Sequence, residues 1–367
     1  MAKGSYIGVD TVARKITKGY LGDLDAVARK IIGAYVGVGG VARPFWSAAG
    51  LGYFGVITPL ETGRSHLSAA TIGNYALFAG GRDSSDTDVV EAYDQSLTRT
   101  TASPLTCDRR FTAAATVGNY ALFGGGESYL SLEGVSVVDA YDKSLTRTTP
   151  TALSQNRKYL AAAANANYVV FAGGSSDLAE AYNASLTRSS ASRLSSNKSD
   201  FDGTTVGDYA LFGPSANNGS MDAYNLSLTR TVPSPPKGMR SYYAATTVGN
   251  YALFGGGQQT DGTNVGFMDA YDTSLTRFTP EDFSTPRHDY AATTIGRYAL
   301  FGGGRFGSND SYALVDAYNT KLTRSVAKSL SVAGYYLAAV TVGDYAIFAG
   351  GINRKSVVEA YRDVKET

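Results

Sequence analysis

The sequence offers few side chains for acid–base, metal or thiolate chemistry. It contains two histidines, His66 and His288, and one cysteine, Cys107. Histidine is the commonest general base and metal ligand, and one thiol can form neither an internal disulfide nor a thiolate cage around a metal. We expect each histidine at a loop or rim, since each precedes a different short strand. Nothing positively indicates catalysis, so we predict a protein that is not an enzyme.

Two other patterns have the residue types of ligand sites. Asp83, Asp86 and Asp88 could offer oxygens to calcium, but the segment lacks the glycine and the distal glutamate of an EF-hand loop. We interpret it as a solvated loop. The glycine runs 124–126 and 302–304 have the composition of a phosphate cradle, but no helix pattern follows them. We interpret them as strand-end glycines that permit close backbone approach, and we predict no metal and no cofactor.

Charged residues recur in matched series. A cation lies eleven residues before six of seven copies of a Tyr-Ala-Leu-Phe-like segment, and Gly334 interrupts the series at the seventh: Arg64, Arg109, Arg157, Lys198, Arg240 and Arg287. An acid recurs with them: Glu91, Asp139, Glu180, Asp222, Asp269, Asp316 and Glu359. A ring of cations could bind an anion, but we prefer structural pairing of the two series. A second cationic series is interpreted as structural or solvent-facing: Arg99, Arg147, Arg188, Arg230, Arg277 and Arg324.

The elements that carry these residues form a repeat. The Tyr-Ala-Leu-Phe-like segment begins, at intervals of 41 to 48 residues, at Tyr75, Tyr120, Tyr168, Tyr209, Tyr251, Tyr298 and Tyr345. Each unit has the pattern of four short strands, with Gly-Asn or Gly-Asp hairpin turns and Asp-x-Ser turns between them. Helical periodicity is absent from the repeats. A period in the forties with four strands per repeat predicts an all-β, seven-bladed propeller.

The ends of the chain predict how the ring closes. The seventh unit stops at Tyr361 and lacks the fourth strand that the other six have, whereas an extra strand pattern occupies residues 53–60. We predict that 53–60 closes the last blade as its outer strand, which removes an open edge. The propeller is therefore expected to comprise residues 53–367, with a separate segment at 1–52.

The propeller units resemble a known family. A small-residue strand after a basic residue, an apolar strand ending in Gly-Gly, and an acid-x-Tyr pattern are similar to the kelch repeat over residues 53–367. The kelch tryptophan is missing from every copy, and the fourth unit has Gly213-Pro214 in place of the double glycine. The resemblance implies a kelch-like propeller fold, and it carries no particular activity with it.

Residues 1–52 contain a different repeat of about 15 residues. Tyr6-Ile7-Gly8 leads to Val12-Ala13-Arg14, and the same pattern recurs from Tyr20 and from Tyr35. It is typical of a short β-meander or β-stem that is marginal alone. This module resembles N-terminal repeats of structural proteins from phages and prophages of Gram-positive bacteria. The resemblance implies an anchor that attaches to other virion proteins or forms a homo-oligomer.

One face of the propeller is expected to bind. The connections from second to third strand and from fourth to first strand emerge on the same face, and these are the ones that vary between units. Side chains of the types found at binding hot spots occupy or border them: Arg82, Tyr129, Arg240, Phe267, Arg305, Phe306 and Tyr312. Arg240 therefore belongs to two hypotheses, the ion-pair series and the variable face.

Charge and hydropathy exclude several classes of function. A net charge of +1, from 33 basic and 32 acidic residues without a basic stripe, argues against nucleic-acid binding. The sequence has no apolar run of membrane-spanning length and no secretory signal. We therefore expect a virion protein, made in the bacterial cytoplasm, whose propeller binds a host-surface glycan or protein. Two alternatives stay open: a purely structural decoration or assembly protein, and a glycan-active enzyme with a carboxylate pair that spans two blades.

Overall fold

The computed structural model describes residues 50–128, 134–307 and 310–364 in full, together with the backbone of six strands between residues 5 and 47. These six strands form three separate antiparallel pairs: β1 Ser5–Val9 with β2 Val12–Ile16, β3 Tyr20–Gly22 with β4 Ala28–Lys30, and β5 Gly33–Val38 with β6 Val41–Ser47. Every assigned element in the described residues is a strand. These residues include no helix that is long and apolar enough to cross a membrane.

Seven four-stranded antiparallel sheets follow, arranged as the blades of a β-propeller. The first three are β8–β11 (Ser68–Ile72, Tyr75–Ala79, Val90–Asp94, Arg99–Thr101), β12–β15 (Ala113–Val117, Tyr120–Gly124, Val138–Tyr141, Arg147–Thr148) and β16–β19 (Leu160–Ala164, Tyr168–Gly173, Ala179–Asn183, Arg188–Ser190). The next three are β20–β23 (Gly203–Val206, Tyr209–Phe212, Asp222–Tyr224, Arg230–Thr231), β24–β27 (Ala244–Val248, Tyr251–Gly255, Met268–Asp272, Arg277–Phe278) and β28–β31 (Ala291–Ile295, Tyr298–Gly302, Val315–Asn319, Arg324–Val326). The predicted fold class, an all-β seven-bladed propeller, is confirmed.

The seventh blade combines both ends of the chain. Its first three strands are β32 Ala338–Val342, β33 Tyr345–Ala349 and β34 Val358–Val364, and its outer strand is β7 Gly50–Val56, which pairs with β34. The outer strand thus occupies residues 50–56, whereas the sequence pattern suggested 53–60. Pro59 has no N–H for a strand ladder, and residues 57–60 instead lead the chain across to the first blade.

The second strand of each blade is buried on both faces. In Tyr75–Ala79 the four residues after the tyrosine are at most 1% exposed, and the same pattern recurs in the other blades. Blade sheets pack face to face, so both sides of a middle strand need apolar residues. Burial of each large apolar side chain stabilises the fold by roughly 1.5–3 kcal/mol.

Hydroxyl groups tie neighbouring blades together around the central channel. A threonine on the innermost strand donates its hydroxyl to the backbone carbonyl at the corresponding position of the preceding blade in six of seven blades: Thr71, Thr116, Thr205, Thr247, Thr294 and Thr341. The third blade has Ala164 there, which accepts from Thr205 but has no hydroxyl to donate. The first blade bonds back to the seventh, and this contact helps to hold the ring shut.

Candidate functional site

The recurring charges meet inside the blades. Six of the seven acids pair with the cation of the first series at side-chain exposures of 0 to 5%: Arg64–Glu91, Arg109–Asp139, Arg157–Glu180, Lys198–Asp222, Arg240–Asp269 and Arg287–Asp316. Five of these pairs have N–O distances of 2.6 to 2.8 Å. Because these cations form ion pairs with internal carboxylates, they do not present a ring of free positive charge.

The seventh blade obtains its cation from another part of the chain. Arg354, in the connection between β33 and β34, lies 2.5 Å from Glu359, and both side chains are fully buried. A Cβ at Gly334 would lie 2.6 Å from Arg354 Cγ and 2.6 Å from the Ile352 carbonyl oxygen. The glycine that interrupts the cation series therefore leaves the space into which the substitute arginine fits.

A second group contacts each acid from the outer strand. The second arginine series lies 2.7 to 3.8 Å from the same carboxylates, with 18 to 31% of each arginine side chain exposed. In the seventh blade Tyr53, from the closing strand, donates its hydroxyl to Glu359 at 2.6 Å. Both charged series therefore build the blades, and the candidate site must be sought among residues that differ from blade to blade.

One repeat position carries chemically different side chains in different blades. The residue nine positions before each blade's tyrosine is, in chain order, His66, Phe111, Tyr159, Asp200, Tyr242, Asp289 and Tyr336. All seven have a positive φ of 54 to 58°. This left-handed conformation favours glycine and costs other residues roughly 1–2 kcal/mol each. The chain nevertheless places an aromatic or carboxyl side chain at each of these positions.

The seven residues form a circle at one mouth of the channel. Six backbone hydrogen bonds of 2.9 to 3.2 Å link neighbours in this circle; for example, Tyr242 N–H donates to the Asp200 carbonyl, and Asp289 N–H donates to the Tyr242 carbonyl. These bonds fix the strained backbone and therefore the direction of the side chains. We call this set the mouth ring.

The mouth ring surrounds a cavity of about 430 Å³. Its wall continues with the next residues of each blade, among them Thr112, Phe201, Tyr243 and Tyr290. Cavities of roughly 300–1,000 Å³ with a mixture of apolar walls and a few polar groups are the usual sites for small ligands. No lysine or arginine lines this cavity among the described residues.

One side of the ring is aromatic. His66 lies between Phe111 and Tyr336 with ring centroids 4.6 and 4.0 Å away, and Phe111 contacts Tyr159 at 4.9 Å. Burial, together with the positive charges of Arg110, Arg82 and Arg305, lowers the pKa of His66 to about 3. The imidazole is therefore neutral at physiological pH and extends the aromatic surface.

The other side carries the carboxylates. Asp289 pairs with Arg305 at 2.7 Å, and Arg305 also donates to the Tyr336 hydroxyl at 3.0 Å. Burial raises the pKa of Asp289 to about 6, although Arg305 opposes the rise. Burial also lowers the pKa of the adjacent His288 to about 4, so this histidine is neutral as well.

Two more carboxyl groups belong to the fourth blade. Asp200 lies in the ring between Tyr159 and Tyr242, and burial raises its pKa. Asp202, two residues along the chain, accepts backbone hydrogen bonds of 2.8 Å from Gly203 and Ala245. Burial raises its pKa to about 7, against the effect of these two N–H groups. Among the described residues no group of three His, Cys, Asp or Glu could hold a metal ion.

The residues predicted for the variable face lie in different places. Arg305 contacts the mouth ring, and Arg82 lies beside His66 in a smaller neighbouring pocket. Phe306 is 52% exposed outside the cavity, Phe267 packs under the Lys237 ammonium, and Tyr312 lies in the connection after Arg305. Tyr129 lies outside the described residues.

The prediction that Arg240 binds a ligand on the variable face has to be corrected. Arg240 is fully buried and pairs with Asp269 at 2.8 Å inside the fifth blade. It precedes the first strand at the position where six of the seven blades have their internal cation, and the ion pair holds it away from the surface. Of the two hypotheses that included Arg240, the structure supports the ion-pair series and not the variable face.

Sequence reasoning missed most of the mouth ring. The signal was present, because the same repeat position holds four residue types beside a first strand whose composition changes little. The long connections vary more visibly in the sequence, whereas this position is a single residue close to the first strand of each blade. The mouth ring lies on the face where the 2–3 and 4–1 connections emerge: the ends of the 4–1 connections and the starts of the 2–3 connections form backbone bridges, as in Ser65–Arg82 and His288–Arg305.

Comparison with solved structures finds the same architecture. The structure titled "Structure of YjhT" matches with a TM-score of 0.54 at 9% sequence identity, over 83% of this chain and 95% of that chain. At this identity the similarity supports the propeller fold alone. No protein-family model matches the chain, and no curated protein matches it.

Proposed function

We propose that the propeller is a glycan-binding module whose binding site is the cavity inside the mouth ring. The observation that carries the proposal is the arrangement of the ring, with aromatic rings on one side and carboxylates on the other. A sugar has an apolar ring face that packs on aromatic side chains and hydroxyls that donate to carboxylate oxygens. The cavity of about 430 Å³ has the size of a small-ligand site.

The module is proposed to act on a phage-like particle. In this proposal residues 1–52 attach the protein to other virion proteins, as the resemblance of the N-terminal repeats implies, and the propeller contacts a host-surface glycan. The kelch-like pattern supplies a rigid scaffold for the site. A purely structural decoration protein is the competing account, and it requires no ligand at the mouth ring.

The test compares two exposed aromatic residues on the same face. Tyr242, in the ring, is 41% exposed, and Phe306, outside it, is 52% exposed. We expect fluorescently labelled full-length protein to bind Gram-positive cells or their purified wall glycans saturably. Tyr242→Ala should weaken binding at least about tenfold, the effect of losing one stacking contact and its burial, whereas Phe306→Ala should change it less than twofold.

Three results would contradict the proposal. Binding that survives Tyr242→Ala, or that Phe306→Ala reduces equally, would move the ligand away from the ring. Stoichiometric incorporation into particles without binding to any cell or glycan would favour the structural account.

A glycan-active enzyme is the second candidate, because two non-repeating carboxyl groups meet at the channel mouth. Asp289, with its pKa raised to about 6, has the property of a general acid, and Asp200 lies two positions away in the ring. Glycoside hydrolysis uses such a pair. Release of reducing sugar from a bound glycan by the wild type, and its loss in Asp289→Asn, would support this candidate; an unchanged glycan after prolonged incubation would exclude it for that glycan.

A further inference from the structure

The two carboxyl groups that line the cavity, Asp200 and Asp289, differ in their partners. Asp289 pairs with Arg305 at 2.7 Å. Other cations near the ring have carboxylates of their own: Arg110 and Lys158 both lie 2.8 Å from Glu127, and Arg110 also lies 3.7 Å from Asp86. Asp200 has no ion-pair partner among the described residues, and its side chain forms a hydrogen bond with Ser199. Asp200 is therefore the carboxyl group of the described cavity lining that lacks a cation.

Tyrosines neighbour Asp200 on both sides in the mouth ring. Asp200 N–H donates to the Tyr159 carbonyl at 3.1 Å, and Tyr242 N–H donates to the Asp200 carbonyl at 2.9 Å, so the backbone order in the ring is Tyr159, Asp200, Tyr242. All three residues line the cavity. A carboxylate with aromatic neighbours suits an ammonium group, since ring quadrupoles and a negative charge both attract a cation.

From this arrangement we infer that the Asp200 sector binds an ammonium group, and that the preferred ligand is an amino sugar with an unacetylated nitrogen. The inference rests on the proposed function and specifies its ligand class. Neutral hydroxyl donors suit Asp289, which already has its arginine, whereas a cation would supply the ion-pair partner that Asp200 lacks. Ligands that carry a carboxylate or phosphate in this sector are disfavoured by the same charge.

Asparagine is a suitable replacement at this position. Asp200 has a φ of 54°, and asparagine is one of the few residues that adopt this conformation readily. Asp200→Asn therefore removes the charge and keeps the backbone. Asp208→Asn is a matched control: Asp208 is exposed in a hairpin turn on the opposite face, where other blades have asparagine, as at Asn74 and Asn119.

The experiment measures affinities of the full-length protein by calorimetry at pH 7. The probes are β-1,4-linked glucosamine tetrasaccharide, its fully N-acetylated counterpart, and choline as an ammonium without a sugar. We expect the glucosamine probe to bind at least about tenfold more tightly than the acetylated one, the range of a desolvated cation–π and carboxylate contact. Asp200→Asn should bring the ratio of the two affinities close to one, because only the binding of the glucosamine probe is weakened. Asp208→Asn should leave this ratio unchanged.

Each other outcome overturns the inference. Equal affinities, or tighter binding of the acetylated probe, would contradict it and leave the glycan-binding proposal standing. Binding of choline without either saccharide would overturn the assignment of an amino sugar, because the cation alone would then account for recognition at Asp200. No binding of any probe would contradict the inference, and the wall-glycan panel would then decide the proposed function separately. Melting temperatures of both variants check that they fold.

Discussion

At the scale of single residues, the mouth ring combines a strained backbone with side chains that differ from blade to blade. The seven residues of the mouth ring keep a positive φ although only a minority of non-glycine residues adopt it. A hydrogen-bonded circle of backbone groups compensates for that strain. Six leucines at the turn before the outer strand, from Leu97 to Leu322, share this conformation. The mouth ring differs from them because its side chains vary from blade to blade and line the cavity.

Asp202 gives a pH dependence whose sign follows from its raised pKa. In the folded protein its pKa is about 7, and the ordinary aspartate value is 3.8. Between these values the folded state holds a proton that the unfolded state has lost, so the stability contributed by this group falls as pH rises from about 4 to 7. We expect Asp202→Asn to remove that component.

The measurement is the melting temperature of both proteins at pH 5 and pH 8. The melting temperature of the wild type minus that of Asp202→Asn should be larger at pH 5 than at pH 8, by at least about 2 °C. His66, His288 and Asp289 titrate in both proteins, so their contributions cancel in the difference. A difference that is constant with pH, or larger at pH 8, would show that burial does not raise this pKa.

At the scale of the blade, one buried ion pair recurs while the sequence position of its cation changes. Six blades place the cation before the first strand, and the seventh uses Arg354 from the connection between β33 and β34. Removal of one partner leaves Glu359 buried without its arginine, which costs about 3–5 kcal/mol. We therefore expect Arg354→Ala to lower the free energy of unfolding by that amount, measured by denaturant unfolding.

The neighbouring residue supplies the control for this prediction. Lys355 also forms an ion pair, with Asp83, but 66% of its side chain is exposed. Exposed pairs contribute at most about 1 kcal/mol, so Lys355→Ala should have a small effect. Equal losses in the two variants would mean that burial of the Arg354–Glu359 pair is not what makes it important.

The blade could be predicted from the sequence, and the reason is repetition. Seven copies of one pattern average out local ambiguity, and the apolar run after Tyr75 identifies a strand buried on both faces. The closing strand was harder to place, because a single copy offers no such average; it lies at Gly50–Val56, with a bulge in its pairing at Ala360/Tyr361. Arg354 could not be found from spacing, since its position breaks the repeat.

At the scale of the whole molecule, sevenfold repetition produces a rigid ring with one variable opening. Ion pairs inside blades, threonine contacts between blades and the outer strand β7 all serve closure. The site could not be predicted completely, because its members come from seven positions that are 41 to 48 residues apart and meet only once the ring closes. The variable connections indicated the face on which the cavity opens, but not the residues that surround it.

The central claim is that the ligand lies inside the mouth ring. The most direct measurement is a crystal structure of the full-length protein with the wall glycan that binds it most tightly. We predict sugar density in the cavity, packed against Tyr242 and within hydrogen-bonding distance of Asp200. Density over the outer strands or on the opposite face, with the cavity occupied by solvent alone, would contradict the account.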